Sequence, residues 1–498
     1  MWEKREVINQ IKLCQSRLDK GWAKFLVILS NHRSYLHILT VISSILLIIG
    51  TLYLPNLFSQ PGILKLLFVV LIGIGLTAVE YDSRNQAQVL HEKNKIVTME
   101  PNQKIPELDG IRGYACLSVF LAHCFMGIIR PDLPVLYSIA KYTTALLLGG
   151  VDLFFVLSGF LIGGILIDSR GSSHYFKRFW IRRIARIFPV LYALLATYAI
   201  ALLVNAHFDF PVLNKWLLAD PRPPFWTYAT FLQSFHIAAG GVGGPRWVGI
   251  TWSLAIEEQF YFIFPIAVYF LSKRSLYITV LTSLIAAPIL RHVFESIYGN
   301  WYAPYVLLPS RIDGLMFGVL VAILVRNKFA LEQIFKFRRL LDVLAIGIVY
   351  LISTTHPILR QIWAPPCSGD FPPLKQSCIS ILCAILILRI FVYRKESANF
   401  IWRWKWLVLA GSISYPLYMY HQAINGLIHG YLFNSEPLIT SYTHLLASIP
   451  VMGLSILLAT ISYKYMEKPI RRYGHQLSNR LSTKTNSLIF PNASVDNT

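Results

Sequence analysis

Apolar runs about as long as a bilayer is thick recur along this chain, and few folds are open to such a sequence. A segment that crosses hydrocarbon must satisfy its own backbone hydrogen bonds, so it is a helix or a strand of a closed barrel. Roughly 20 residues span the bilayer core as a helix and about 10 as a strand. The runs here are helix length, covering about 35–54, 61–79, 107–124, 145–167, 187–205, 252–271, 275–290, 306–325, 340–356, 377–393, 406–431 and 444–463. The expected fold is all-α, a polytopic integral membrane helix bundle of about twelve transmembrane helices.

Charge supports the same reading. The formal charge is +21, from 46 Lys and Arg against 25 Asp and Glu, and on a soluble domain such an excess points to nucleic acid. With 55% of residues hydrophobic and 14% charged, the chain is too apolar for a soluble globule of its length. Its cations fall in alternate loops, most densely in DSRGSSHYFKRFWIRRIARIFP and again at 326–339, 394–405 and 464–472. Retention of Lys and Arg on the cytoplasmic side accounts for that alternation, so no nucleic-acid partner is expected and both termini are assigned to the cytoplasm. Four segments follow: a basic cytoplasmic lead at 1–34, a membrane hairpin and linker at 35–106, the main membrane domain at 107–473, and a polar tail at 474–498 expected to be disordered. The loop at 206–250, on the outer side, is too long to be a mere connector.

Polar groups inside apolar helices are costly, so each is a candidate for function. In ELDGIRGYACLSVFLAHC, Asp109, Arg112 and His123 fall near one helical face. Arg186 follows Arg183 by three residues and Arg182 by four, which puts it beside both on a helix face. Spacing alone leaves two readings open, lipid-phosphate anchors or a bidentate clamp for a phosphorylated ligand. Ser253, Glu257 and Tyr261 share a face of TWSLAIEEQFYFIFP, where Glu257 can pair, orient a histidine or take a hydroxyl proton. Glu258 reads as half of a structural ion pair. Arg311 and Asp313 read as a pair or a helix cap, Asp152 lies near the outer end of its span, and His421, among tyrosines, reads as a packing residue. The six cysteines lack metal-ligand spacing, and neither a Walker loop nor a dinucleotide fingerprint occurs.

The ordered set LDGIRGYACLSVFLAH, GVDLFFVLSGFLIGGIL, FKRFWIRRIARIFPVLY, TWSLAIEEQFYFIFP, RIDGLMFG, ISYPLYMYHQ and YMEKPIRR resembles membrane acyltransferase family 3, the O-acetylases of bacterial surface polysaccharides. The resemblance spans roughly 107–473, about ten helices. It implies a multi-pass protein of the cell membrane that takes an acyl group, usually acetyl from cytosolic acetyl-CoA, and esterifies a hydroxyl of a glycan or lipid-linked glycan, with no resident cofactor. The family's R-x-x-R element matches Arg183 and Arg186, its first-helix histidine matches His123, and its W-S-L-x-x-E element matches Trp252, Ser253, Leu254 and Glu257.

The chemistry implied is attack of a hydroxyl on a thioester, with His123 as general base or transient acyl carrier beside the Glu257 carboxylate. Arg183 and Arg186, with Arg182, would hold the CoA phosphates, while Asp109, Arg112, Asp152, Trp252 and Ser253 support the site. At about 1.5 Å per residue, His123 lies roughly 18 Å from Ile111, so the pantetheine arm must reach up the bundle. The chain departs from the best-known family architecture in its extra hairpin at 35–79 and in having no hydrolase-like extracytoplasmic domain after the last helix. Transfer is therefore expected to finish within the membrane domain or to pass to an extracytoplasmic partner protein. A rival reading with the same polar residues is a transporter or flippase of a lipid-linked saccharide.

Overall fold

Every regular element in the computed structural model is a helix among the residues it describes, which are 105–208, 218, 223–353, 374–392 and 399–489. The chain divides into two compact units, Met1–Tyr81 with Lys395–Ile401 and Asp82–Arg394 with Trp402–Thr498, and the second holds the long apolar helices of the described residues. The expected lead at 1–34 and the hairpin at 35–79 lie outside the described residues.

In chain order the helices are α1 Pro106–Cys124, α2 Pro134–Asp168, α3 Tyr175–Phe208, α4 Phe225–Ala229, α5 Gln233–Gly240, α6 Arg246–Gly249, α7 Thr251–Phe270, α8 Lys273–Tyr298 and α9 Tyr302–Val306. They continue as α10 Leu308–Arg326, α11 Lys328–Lys336, α12 Arg338–Ser353, α13 Lys375–Val392, α14 Lys405–Ser412, α15 Ser414–Phe433, α16 Tyr442–Ser462, a π-helical turn Tyr463–Glu467, and α17 Lys468–Ile489. Seven segments among the described residues are long and apolar enough to cross a membrane.

The boundaries depart from expectation in informative places. The basic segment ahead of Pro189 is no loop, because α3 runs through the proline as one 34-residue helix, so Arg183 and Arg186 are carried rigidly on the span itself. The run at 406–431 is broken at Ile413 into α14 and α15. The break lets α14 lie on α1 almost backbone to backbone: a Cβ on Gly113 would sit 1.9 Å from the Leu407 carbonyl oxygen, and one on Gly411 2.0 Å from that of Asp109. Part of the stretch 206–250, expected to be a long loop, folds into α4, α5 and α6, with Gly241 and Gly244 at positive φ in the turn between the last two. The stretch from 474, expected to be a disordered tail, is helical as far as Ile489.

α2 and α10 cross at the centre of the bundle. Their glycines allow close approach, as the GGVDLFFVLSGFLIGG pattern predicts. A Cβ on Gly159 would stand 1.8 Å from the Leu315 carbonyl oxygen, and one on Gly318 2.0 Å from that of Val156. Buried ion pairs then lock the neighbours. Arg311 of α10 meets Asp152 of α2 at 2.8 Å with its guanidinium between the rings of Phe155 and Tyr305. Arg291 of α8 meets Asp313 of α10 at 2.8 Å, and Ser377 of α13 donates to the same carboxylate at 2.6 Å. At the far end of α2, Asp168 takes two hydrogen bonds of 2.7 Å from Arg326.

This crossing makes a paired prediction. Gly159→Ala forces a methyl into a backbone oxygen that cannot rotate away, and should lower stability by about 1–3 kcal/mol or more, as overpacking does. Gly347→Ala in α12, where nothing lies within 4 Å, should be neutral or gain up to about 1 kcal/mol of helix propensity. Melting temperatures of the two variants in detergent measure the contrast.

Candidate active site

The site grows from the seam between α3 and α7. Phe176 and Trp180 on α3 stack against each other and meet Tyr269 and Phe262 on α7, with ring centroids 5.1 and 6.3 Å apart, and the Trp180 indole N–H donates to the Tyr261 carbonyl at 3.4 Å. That seam brings Arg183 and Arg186, one helical turn apart, against the carboxylate side of α7.

There they line a cavity of about 110 Å³ together with Arg112 of α1, Ser158 of α2, Ser253, Glu257 and Tyr261 of α7, and Tyr415 and Tyr418 of α15. Neither Arg183 nor Arg186 makes an ion pair with any described residue, and Arg183 instead lies over the rings of Phe179 and Tyr261 at 6.0 and 5.9 Å. Ser158 and Tyr261 hydrogen-bond one another and flank the Glu257 carboxylate. A second cavity of about 240 Å³ adjoins the first across Arg112, Arg186, Ser414 and Tyr415, and adds Asp109, Glu467 and Arg471 to its wall. Arg112 donates to Asp109 at 2.7 Å and lines both spaces. Two guanidiniums held in no ion pair, with Glu257 as the one carboxylate in the wall, suit a multiply charged anion, since each fork can bind phosphate through two parallel hydrogen bonds.

His123 stands elsewhere, in the last turn of α1, and lines neither cavity. Its Nδ1 meets Nε2 of His421 at 2.9 Å, with the two rings nearly coplanar at 9°. The His421 Nδ1 lies 2.7 Å from the Tyr418 carbonyl oxygen and 3.2 Å from that of Leu417. Tyr418 completes the connection, because its hydroxyl pairs with Ser253 at 2.6 Å in the cavity wall.

The profile of the acyltransferase domain family, family 3, matches residues 105–464. The chain belongs to this family. Among its curated relatives, the peptidoglycan O-acetyltransferase OatA of Listeria monocytogenes is 28% identical over 394 residues, 76% of this chain and 58% of the relative. The O-acetyltransferase OatA of Staphylococcus aureus is 26% identical over 387 residues, 74% of this chain and 58% of that protein. The chain thus spans less than two thirds of the length of these relatives. No solved structure matches. With the family and the apolar helices together, the chain is a multi-pass membrane protein.

Of the residues that the sequence singles out, the family fold gathers Arg112, Arg183, Arg186, Ser253 and Glu257 around one cavity, with Asp109 on its neighbour. Others it puts to different use. Arg182 turns away and ties α3 to α17, donating to Ser478 and Asn479 at 2.9 Å each. Asp152 is spent on Arg311, and Asp313, expected to partner Arg311, instead holds Arg291. Residues two apart on a helix diverge by about 200°, so Arg311 and Asp313 face different neighbours. Trp252 packs edge-on to Phe155 and against Tyr305, supporting the Arg311 cage. Glu258 has no ion pair among the described residues, and its Oε1 is buried without a partner. Sequence reading takes His421 for a packing residue and passes over Tyr418 and Glu467. The signal for His421 was present, since a second histidine within an apolar helix is costly on its own and cheap beside a first.

The reassignment of Asp152 is testable. Asp152→Ala leaves Arg311 buried without its counter-charge and should cost about 3–5 kcal/mol of stability, lowering the melting temperature. Activity per folded molecule should remain near wild type, which labelling normalised to monodisperse protein would measure.

Proposed function

We propose that this protein is a membrane O-acyltransferase that moves an acyl group, acetyl in the simplest case, from cytosolic acetyl-CoA to a hydroxyl of a cell-surface or lipid-linked glycan. The observation that carries this reading is the pair Arg183 and Arg186, which form no ion pair with any described residue and line one cavity with Arg112 and a single carboxylate, Glu257. Family membership supports the reaction class, and the likeness to the peptidoglycan O-acetyltransferase of Listeria monocytogenes supports a polysaccharide hydroxyl as acceptor. The cell membrane, the cytoplasmic placement of the basic end and both termini, and a total of about twelve spans belong to the same reading, resting on the alternation of basic loops.

In this mechanism the arginines bind the phosphates of the donor and the acyl-bearing arm extends along the bundle toward His123. The base takes the acceptor's hydroxyl proton as the oxygen bonds to the thioester carbonyl carbon. Collapse of the tetrahedral intermediate breaks the C–S bond, and the proton passes from His123 to the departing sulfur, giving ester and CoA thiol. Glu257 holds the charged lining of the cavity in place. Completion of transfer inside the membrane domain or by a partner protein are both compatible with this chemistry.

The test is incorporation of labelled acetyl from acetyl-CoA into glycan and lipid fractions of membranes carrying matched amounts of each variant. Arg183→Ala with Arg186→Ala should raise the donor KM at least tenfold, and Arg186→Lys should recover only part of the loss because a point charge lacks the bidentate fork. His123→Ala should lower kcat by about 10²–10⁴-fold, the usual range for a general base. Undiminished labelling by the double arginine variant would sink the donor assignment, and undiminished labelling by His123→Ala would sink the base.

A further inference from the structure

We infer that His421 is a positioning residue that fixes His123 in its Nδ1–H tautomer and so leaves Nε2 bare to accept a proton. The inference deepens the reading of His123 as general base and rests on it.

It follows from which atoms can donate. A backbone carbonyl only accepts hydrogen bonds, so with the Tyr418 oxygen 2.7 Å away and that of Leu417 at 3.2 Å, His421 Nδ1 carries the hydrogen. In a neutral ring the other nitrogen is then a lone pair. His421 Nε2 must therefore receive the hydrogen bond that joins it to His123, and His123 Nδ1, 2.9 Å away, must donate it. His123 Nε2 is left with its lone pair and makes no hydrogen bond to any described residue.

The two histidines are not interchangeable in this arrangement. His421 is only 1% exposed, with both nitrogens engaged and its ring held by Phe120 and Tyr418 at 5.8 and 5.9 Å. His123 is partly exposed, and Asn425 holds its backbone rather than its ring, donating to the His123 carbonyl at 3.4 Å. Once Nε2 has taken a proton, Nδ1–H still points at the His421 lone pair, so the same contact stabilises the imidazolium without moving any atom. A neutral imidazole here does what a carboxylate or carbonyl does behind other histidines: it sets tautomer and ring orientation.

The experiment compares wild type with His421→Leu, which removes the acceptor, and His421→Gln, whose side-chain oxygen can reach the place of Nε2. The full chain is used in proteoliposomes, with nitrogen-15 labelled histidine and His123→Gln to assign the resonances. Wild type should show His123 protonated at Nδ1 and bare at Nε2. His421→Leu should lose that preference and reduce kcat by about 10–100-fold, with the donor KM and melting temperature little changed, and His421→Gln should restore most of both. In a His123→Ala background, His421→Leu should cost nothing further.

A wild-type spectrum with His123 protonated at Nε2 would overturn the inference, as would full activity in His421→Leu or a loss that merely tracks the melting temperature. If the tautomer shifts as expected while His123→Ala labels as fast as wild type, His421 still sets the tautomer and it is the general-base assignment that fails.

Discussion

A charge carried into an apolar helix bundle must find its opposite, and this requirement orders the whole molecule. The pairs Asp152 with Arg311 and Asp313 with Arg291 tie α2, α8, α10 and α13. Stranding one member of such a pair costs about 3–5 kcal/mol, a large share of the 5–15 kcal/mol that typically separates folded from unfolded chains. Those carboxylates are committed to scaffold arginines, and neither Arg183 nor Arg186 has an ion-pair partner of its own among the described residues. The cavity wall carries Arg112, Arg183 and Arg186 against the single carboxylate of Glu257, and a ligand bearing negative charge suits that excess.

Much of this was legible beforehand. Apolar run length and the alternation of basic loops are one-dimensional properties, and they carried the all-helical class and most element positions. The i to i+3 spacing put Arg183 and Arg186 together because a helix enforces it. Pairings between helices obey no such local rule. Arg182 is a neighbour of both, yet a single step around α3 sends it to Ser478 and Asn479. His421 lies 298 residues from His123 in sequence, and nothing short of the packed bundle brings them within a hydrogen bond. The break at Ile413 is equally tertiary in origin, since Gly411 can rest on α1 only if α14 leaves the line of α15.

The site thus has two parts on different levels of the bundle, and α15 joins them. From one turn of this helix Tyr418 turns its hydroxyl to Ser253 beside the arginine cavity, while its carbonyl holds His421 behind His123. The helix that carries both contacts starts afresh after Ile413. The adjoining cavity ends at a π-helical turn, Tyr463–Glu467. Such single π turns are over-represented at functional sites because they re-aim one side chain without ending the helix. Here the re-aimed residue is Glu467, 2% exposed and with Oε2 unpartnered.

The crossing of α2 and α10 has a consequence of another kind. Where backbone lies on backbone, as at Gly159 against Leu315 and Gly318 against Val156, there is no room for a side chain, and a file of water molecules needs more room than that. Along this line the bundle is an insulator. A protein that must keep polar cavities and two histidines within a membrane would otherwise offer protons and ions a route between the compartments on either side, and this backbone-to-backbone crossing closes that line.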